Sequence, residues 1–293
     1  MPSRLAASLQ ALFVTFLWAT SWVLIKIGLK DLPALTFAGL RYTLAFLCLL
    51  PFALRPPGHA TWRSLTRKQW RDLIVLGLLL YTVTQGAQFL GLAYLPAVTV
   101  SLLLNLTTVV VTLLGIVWLA ERPTALQWVG VALSVAGVLT FFYPVALPAA
   151  QWFGLSVVGV GVLGNAVSAS LGRRVNRDSG LSPLIITTVS MGFGAVALLA
   201  AGVITQGWPR LSPLNLIFIG WLAVVNTAFA FTLWNHTQRT LTALESSILN
   251  STMLIQIPVL AWLFLGEPVT PQKIVGMAVA GVGALVVQVR QLK

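Results

Sequence analysis

Ten runs of about 20 apolar residues follow one another along the chain and dominate what it can fold into. A helix that spans a bilayer needs roughly 20 apolar residues, so each run is long enough to cross a membrane. Charged residues make up only 8% of the chain, which cannot cover a water-facing surface of ordinary size. The runs lie approximately at residues 9–27, 33–53, 72–91, 97–119, 125–143, 152–171, 183–203, 214–237, 244–265 and 271–289.

The runs predict helices rather than the strands of a barrel. They are longer than barrel strands and lack their alternation, whereas helices satisfy their own backbone groups in lipid. We therefore expect an all-α integral membrane protein with ten transmembrane helices. The first run is longer than the apolar part of a signal peptide and no A-x-A site closes it, so we expect it to remain a span. The single cysteine, Cys48, permits no intrachain disulfide.

In a soluble chain the net charge of +12 would indicate nucleic-acid binding, but the positions of the charges favour another explanation. With the spans threaded alternately, 13 Lys and Arg residues collect on one side and four on the other, with Arg41 inside a span. Because positive charge resists translocation, the rich side and both termini are expected to be cytoplasmic. We expect the basic loops to contact membrane lipid, not nucleic acid, although the loop at residues 55–71 leaves contact with RNA open.

The second half of the chain repeats the first. The stretches "WLAERPTALQWVG" and "FLGEPVTPQKIVG" each contain one Glu, and 146 residues separate Glu121 from Glu267. Other positions match at the same offset, which predicts one five-helix unit used twice, at residues 1–146 and 147–293. Since five is odd, the second unit enters the membrane from the opposite side. Inverted repeats are typical of transporters that alternate access.

The repeated segments carry a family resemblance. The patterns "LPAVTVSLLLN" and "LLGIVWLAERPTALQWVGVALSVAGV" have the partner "LTALESSILNSTMLIQIPVLAWLFLGEPVTPQKIVGMAVAGVGAL", and the opening holds "LWATSWVLIKIGL" and "FAGLRYTLAFL". They resemble the paired EamA repeats of the drug/metabolite transporter superfamily, and are most similar to the aromatic amino-acid exporters of bacterial inner membranes. The resemblance implies ten helices, cytoplasmic termini and a central substrate cavity. It is poorer in the sixth and seventh helices, where Met191 lies about where a second Arg41 would be.

Polar residues that share a helix face predict where the cavity lies, because lipid-facing surfaces should be apolar. Tyr81, Gln85 and Gln88 share an arc of the third helix, and the positions 146 residues after the two glutamines hold Phe231 and Trp234. Hydrogen bonding between helices is the alternative for such residues. Amides, hydroxyls and rings together suit a substrate with an aromatic or apolar body and a small polar head. The candidate substrate-binding residues are Trp18, Trp22, Tyr81, Gln85, Gln88, Ser101, Asn105, Asn165, Phe231, Trp234, Ser247 and Ser251.

Four further residues are candidates for structural or gating roles. Arg41 is a cation inside a span, where burial costs about 2.5–3.5 kcal/mol on insertion scales. It either attracts a substrate carboxylate or bonds helix-end carbonyls and fixes packing. Glu121 and Glu267 are expected to cap helices or pair with cations at the two faces. Pro258 is expected to kink the ninth helix.

The driving force has few candidate residues. All six acids lie near predicted helix ends, whereas proton-coupled transporters usually bury a carboxylate in the membrane. Only His236 and Glu245 are placed to relay protons, which favours facilitated transport. Motifs for ATP, metal or nucleophilic chemistry are absent from the sequence, so no cofactor, metal or catalytic residue is predicted.

The resulting hypothesis is a secondary transporter that exports small amphipathic metabolites, among them aromatic and other amino acids, and has no obligatory protein partner. One alternative is an intramembrane enzyme that acts on a lipid or isoprenoid, for which no constellation of acids, metal ligands or nucleophiles is evident. Another is a receptor or assembly subunit that transports nothing.

Overall fold

The chain folds into helices throughout the part that the computed structural model describes, which comprises residues 4–55, 62, 64–119, 124–143, 149–237, 240–241 and 243–288. No strand occurs among these residues, so the predicted all-α class is confirmed. The helices are α1 (Arg4–Gly28), α2 (Ala34–Ala53), α3 (Arg67–Gly77, Leu78–Gln85 and Gly86–Tyr94), α4 (Ala97–Asn105), α5 (Thr107–Leu119), α6 (Ala125–Phe142), α7 (Ala149–Asp178), α8 (Pro183–Gln206), α9 (Pro213–Ala223, Val224–Phe229 and Ala230–Thr237), α10 (Ala243–Ser251), α11 (Met253–Leu265) and α12 (Pro271–Gln288).

Nine helical stretches of the described residues are long and apolar enough to cross a bilayer. Two of these stretches are composite, because α4 with α5, and α10 with α11, each form one span. A further apolar helix, Pro271–Val287, falls just short of the same length. The membrane-spanning character is therefore confirmed, while the count of ten spans stays a prediction.

Local capping chemistry sets several helix starts. Thr66 and Thr124 each accept a hydrogen bond from a backbone N–H three residues later, and the glutamine at that position bonds back, which forms a capping box. Ser182 and Ser212 each cap a helix whose first residue is proline. Proline fits there because its missing N–H would have no intrahelical partner. These caps start the helices at the boundary of the apolar spans, so the polar loops between helices lie outside the spans.

Corresponding helices of the two halves run antiparallel, as α6 and α12 show. A Cβ placed on Gly130, early in α6, would lie 2.7 Å from the backbone nitrogen of Val287, late in α12. A Cβ on Gly276, early in α12, would lie 2.7 Å from the backbone nitrogen of Phe141, late in α6. Only glycine lets two helix backbones approach this closely. The inverted relation of the repeats follows from this pairing.

The pair formed by α2 and α8 repeats this arrangement. A Cβ on Gly39, early in α2, would lie 2.7 Å from the backbone nitrogen of Leu199, late in α8. A Cβ on Gly192, nearer the start of α8, would meet the ring of Phe46. Around these two pairs the remaining helices exchange partners: α1 packs on α9, α10 and α11, whereas α7 packs on α3, α4 and α5. The exchange is what a two-fold relation between the halves requires.

Four departures from α-helical geometry also follow the repeat. The span of α4 and α5 is interrupted at Leu106, and that of α10 and α11 at Thr252, which is 146 residues later. The π-helical segments Leu78–Gln85 and Val224–Phe229 start at positions with the same separation. Helix interruptions and π-turns leave backbone groups outside the regular ladder and often mark functional sites.

The helix ends define two faces. The terminal face carries the start of α1 and the end of α12, and there the Gln69 side chain donates to the Ser179 carbonyl over 3.0 Å. The opposite face carries the turn between α1 and α2, and there the Leu35 N–H donates to Gln206 Oε1 over 2.8 Å. On the opposite face α4 packs against α11. Toward the terminal face α5 packs on α7, and α10 packs on α1. In the described part of the chain α5 and α10 make no comparable contact with each other.

Candidate functional site

Two adjacent residues of α2 connect the two π-helical segments. The Tyr42 hydroxyl donates to Gln85 Oε1 over 2.7 Å, and the Tyr42 and Tyr81 rings lie 5.4 Å apart. On the other side, Arg41 Nε donates to Thr227 Oγ1 over 3.0 Å. Three predicted residues, Arg41, Tyr81 and Gln85, therefore meet here. Tyr42 and Thr227 were absent from the predicted set, although one follows Arg41 directly and the other lies 146 residues after Tyr81.

The Arg41 guanidinium is a buried cation. The residue is 4% exposed, and its Cζ lies 5.1 Å from the ring centre of Tyr42 and 5.8 Å from that of Phe89. Within the described residues the one side-chain ion pair joins Arg71 and Asp72, so no carboxylate compensates Arg41. Its hydrogen bond to Thr227 and the two rings hold the side chain, and both predicted roles stay predictions.

An aromatic cluster joins α1 to α9. The Trp18 ring lies 5.2 Å from the Phe231 ring and 5.2 Å from the Trp234 ring. The indole Nε1 of Trp18 is buried without a hydrogen-bond partner among the described residues. Trp22, one helical turn further along α1, is 6% exposed and belongs to the main apolar core. Three of the five predicted aromatic residues thus form one cluster, whereas Trp22 packs in the main core.

Polar side chains flank both helix interruptions. Asn165 Nδ2 on α7 donates to Thr107 Oγ1, directly after the break that follows Asn105. At the second break, Gln256 Nε2 donates to Thr252 Oγ1 over 3.0 Å and to Thr15 Oγ1 over 3.3 Å. Asn105 and Asn165 were predicted. Thr107, Thr15, Thr252 and Gln256 were not, and their shared position beside a break is visible only in the folded chain.

Some predicted residues lie elsewhere. Ser101 is buried and its hydroxyl donates to the Val98 carbonyl of its own helix over 2.9 Å. Gln88 is half-buried on α3. Ser251 is half-buried at the end of α10 and has an interaction partner. Ser247 lies on α10, but its side chain is outside the described part of the structure, as is Glu121 altogether.

Asn226 is a buried polar residue that the sequence patterns did not single out. It is 0% exposed, and its Nδ2 donates to the Leu17 carbonyl and, over 3.2 Å, to Thr20 Oγ1. It therefore ties the π-helical segment of α9 to α1. The signal was available, because Asn226 is an amide inside an apolar span like Gln85. The comparison of the two halves did not indicate Asn226, because its counterpart 146 residues earlier is the apolar residue Leu80.

Glu267 and Lys26 both bind the turn between α3 and α4 at the opposite face. The Glu267 carboxylate accepts from the Ala97 N–H over 2.7 Å and from the Val98 N–H over 3.1 Å, which caps α4. Lys26 Nζ donates to the carbonyls of Leu92 and Leu95, over 2.5 and 2.7 Å, at the end of α3. An anion at a helix N-terminus and a cation at a helix C-terminus both interact favourably with the helix dipole. We call these two side chains, with the turn between α3 and α4, the opposite-face clamp.

The terminal face holds a cavity. A space of about 410 Å³ lies between the ends of α2, α8 and α9, and it is lined by Leu49, Ser182, Pro183, Leu184, Thr187, Phe231, Thr232 and His236. Phe231 thus contributes both to this cavity and to the aromatic cluster. His236 is exposed at the cavity, and Glu245 is half-buried near the start of α10 with an interaction partner. The described residues contain no group of three or more His, Cys, Asp or Glu that could hold a metal ion.

Pro258 lies inside α11, which continues through it to Leu265. The interruption in this span lies at Thr252, six residues before the proline. The predicted kink at Pro258 therefore stays a prediction.

Comparisons with known proteins agree with this architecture. The model of the EamA-like transporter family matches the chain twice, at residues 5–143 and 152–289. The chain is 30% identical to "Uncharacterized transporter YvbV" of Bacillus subtilis (strain 168), over 94% of this chain and 89% of that protein. A shorter match, 30% identical over 44% of this chain and 40% of the other, is with "Probable amino-acid metabolite efflux pump" of Escherichia coli (strain K12).

Two further comparisons extend this pattern. "Uncharacterized inner membrane transporter YedA" of Escherichia coli (strain K12) is 28% identical over 66% of this chain and 59% of that protein. A solved crystal structure superposes with a TM-score of 0.65 at 16% identity, and covers 97% of this chain and 98% of the other. At that identity the superposition shows a shared fold.

Proposed function

The chain belongs to the EamA-like transporter family and is an integral membrane transporter, and from that premise we propose that it exports small amphipathic metabolites by alternating access. The substrates are aromatic and other amino acids, and the two halves, residues 1–146 and 147–293, rock against each other around a site near the middle of the membrane. Each half supplies the same set of elements to that site.

The observation that carries this proposal is the pairing of the helix interruptions. Breaks at Leu106 and Thr252, and π-helical segments that start at Leu78 and Val224, lie in antiparallel helices at equivalent positions. Non-helical backbone at membrane depth is tolerated where it lines a cavity or is buried in protein. Interrupted helices in corresponding positions of two inverted halves are typical of the binding sites of secondary transporters.

The chemistry around these elements supports an amphipathic substrate. The Trp18, Phe231 and Trp234 rings offer an apolar surface, while Tyr42 and Gln85 on one side and Asn165 on the other offer hydrogen-bonding groups. A pocket with apolar walls and a few placed polar groups selects for a molecule of the same mixed character. One relative carries an amino-acid metabolite in its name, which agrees with this class.

The proposed orientation places the terminal face in the cytoplasm of a bacterial cell, in the inner membrane. The excess of Lys and Arg on that side supports it, and one relative is named as an inner membrane transporter. With this orientation the clamp of Glu267 and Lys26 closes the outer side, and the separation of α5 from α10 opens the inner side. The structure then corresponds to an inward-facing state.

The proposed driving force is the gradient of the substrate itself. The acids that the structure describes lie at or near helix ends, and Glu267 is engaged with two backbone N–H groups. Coupling to protons usually needs a carboxylate or histidine at membrane depth that changes partner. His236 and Glu245, both close to the terminal face, are the remaining candidates for such a relay.

Counterflow in proteoliposomes tests the proposal. Purified protein is reconstituted with unlabelled L-phenylalanine inside, and the uptake of labelled L-phenylalanine is followed. We expect uptake to depend on the protein and to fall at least several-fold in Trp18→Ala, because the cluster with Phe231 and Trp234 is lost. Trp221→Ala is the matched control, since Trp221 on α9 is 51% exposed. Absence of counterflow for every amino acid in a screen would contradict the proposed function.

A further inference from the structure

We infer that Arg41 binds the carboxylate of the transported molecule, an inference that rests on the proposed function. It names the group that recognises the carboxylate of the proposed substrates, and it assigns Arg41 to the binding site. Three features of Arg41 carry it: its missing counter-charge, the geometry of its donors and its position between the halves.

The first feature is the missing counter-charge. Arg41 is 4% exposed and lies within the membrane-spanning helix α2, and within the described residues no carboxylate lies at ion-pair distance. Buried cations are ordinarily paired, because an uncompensated charge in an apolar surrounding is unfavourable. A transported anion that arrives at this position would supply the missing charge.

The second feature is the geometry of the donors. A guanidinium has five N–H donors and cannot be deprotonated in a protein. The Nε donor is used by Thr227 Oγ1 at 3.0 Å, and Cζ lies 5.1 Å from the ring centre of Tyr42 and 5.8 Å from that of Phe89. These contacts fix the orientation of the group. The paired terminal nitrogens match the two oxygens of a carboxylate, which they can hold with two parallel hydrogen bonds.

The third feature is the position of Arg41 between the halves. Arg41 belongs to the first half and bonds the π-helical segment of the second half, while its neighbour Tyr42 bonds the π-helical segment of the first half through Gln85. A ligand bound here would contact a residue that is coupled to both halves. This is the place where a substrate can respond to their relative motion.

The aromatic cluster gives the ligand its second attachment point. Thr227, which holds Arg41, is followed one helical turn later on α9 by Phe231, which packs on Trp18. One turn corresponds to about 5–6 Å along the helix axis. That separation suits a compact molecule whose carboxylate meets Arg41 while its ring rests against Phe231 and Trp18.

The test compares an amino acid with an analogue that lacks its carboxylate. Binding of L-phenylalanine and of L-phenylalaninamide, which lacks the carboxylate, is measured by titration calorimetry on the purified full-length protein, alongside counterflow. We expect the wild type to prefer the acid at least ten-fold. In Arg41→Gln the affinity for the acid should fall and the preference over the amide should disappear, while the affinity for the amide should not fall. Arg41→Lys keeps the charge without the fork and should restore part of the preference. Arg71→Gln is the matched control, because Arg71 is an exposed arginine.

The outcomes separate this inference from the proposed function. Equal affinity of the wild type for acid and amide, or binding of neither, overturns the inference even if counterflow of another amino acid is observed. An equal loss of both ligands in Arg41→Gln would also overturn it, because it would show a purely structural role. Preferential binding of the acid without any counterflow would keep Arg41 as a carboxylate site and refute transport. Should Arg41→Gln not fold, the comparison in the wild type and in Arg41→Lys decides.

Discussion

Replacing Glu267 by Gln should open the opposite face. The carboxylate accepts two backbone N–H groups at the start of α4, over 2.7 and 3.1 Å. Hydrogen bonds to a charged group contribute about 1.5–3 kcal/mol each, and a neutral replacement about 0.5–1.5 kcal/mol. In Glu267→Gln the side-chain amide oxygen can still accept one of the two hydrogen bonds, with the smaller free energy of a neutral acceptor. The change also removes a favourable charge at a helix N-terminus.

The expected magnitude is at the low end of these figures. Glu267 is half-buried, so water screens part of the interaction. We take about 2 kcal/mol, which corresponds to a change of about 30-fold in an equilibrium constant. Because the clamp forms only when α4 lies against Glu267, the loss acts on the closed state of this face. The fraction of molecules in which the face is open should rise accordingly.

Thiol labelling measures this opening. The reporter is Ser101→Cys in a Cys48→Ala background. Ser101 lies on α4 one turn inside the clamp, and it is 6% exposed in the wild-type protein. The rate of modification by a water-soluble thiol reagent should increase about ten- to thirty-fold when Glu267→Gln is added. Asp31→Asn, the same chemical change at an exposed acid of the same face, should leave the rate unchanged. An unaltered rate in folded Glu267→Gln protein would refute the reasoning.

Three further substitutions test other parts of the structure. Gly276→Val should destabilise the pair of α6 and α12 by about 1–3 kcal/mol, because its Cβ would lie 2.7 Å from the Gly137 carbonyl oxygen; thermal unfolding in detergent measures the loss, and Gly220→Val, where a Cβ meets nothing within 4 Å, should be tolerated. Asn226→Leu should lower the melting temperature, since the Leu17 carbonyl and Thr20 lose a buried donor at about 1–3 kcal/mol; an unchanged melting temperature would contradict this. Tyr42→Phe removes only the bond to Gln85, about 0.5–1.5 kcal/mol, and should weaken phenylalanine binding at most about ten-fold in calorimetry.

Much of the architecture could be predicted because it depends on patterns of residues that are close in the sequence or separated by the constant repeat offset. Apolar runs give the helices, capping residues such as Thr124 and Ser182 give several of their ends, and the repeat gives the pairing of the halves. Gly276 and Ala280 lie one helical turn apart on α12, and both approach the backbone of α6 closely, a contact that this spacing of small residues favours. Such features depend on residues near in sequence or on the constant offset between the repeats.

The irregular parts of the helices could not be predicted in this way. Neither Leu106 nor Thr252 is a glycine or proline, so the residue types at the two interruptions do not predict them. The interruptions coincide with contacts from other helices, such as Asn165 to Thr107 and Gln256 to Thr252. The periodicity of one helix shows which of its faces is polar, but not which helix that face meets. For the same reason Thr227 was missed as the partner of Arg41.

The joint between α6 and α12 has a consequence for how such a chain can be assembled. Each helix offers glycine to the other at matched places, Gly130 to the end of α12 and Gly276 to the end of α6. A surface of this kind is self-complementary in the isologous sense, since the same patch recognises its own reversed copy. Two separate copies of a single five-helix unit, inserted in opposite directions, would form this joint without any covalent link. Fusion into one polypeptide then fixes the opposed insertion permanently and allows the two copies to differ, as they do at Asn226 and its counterpart Leu80.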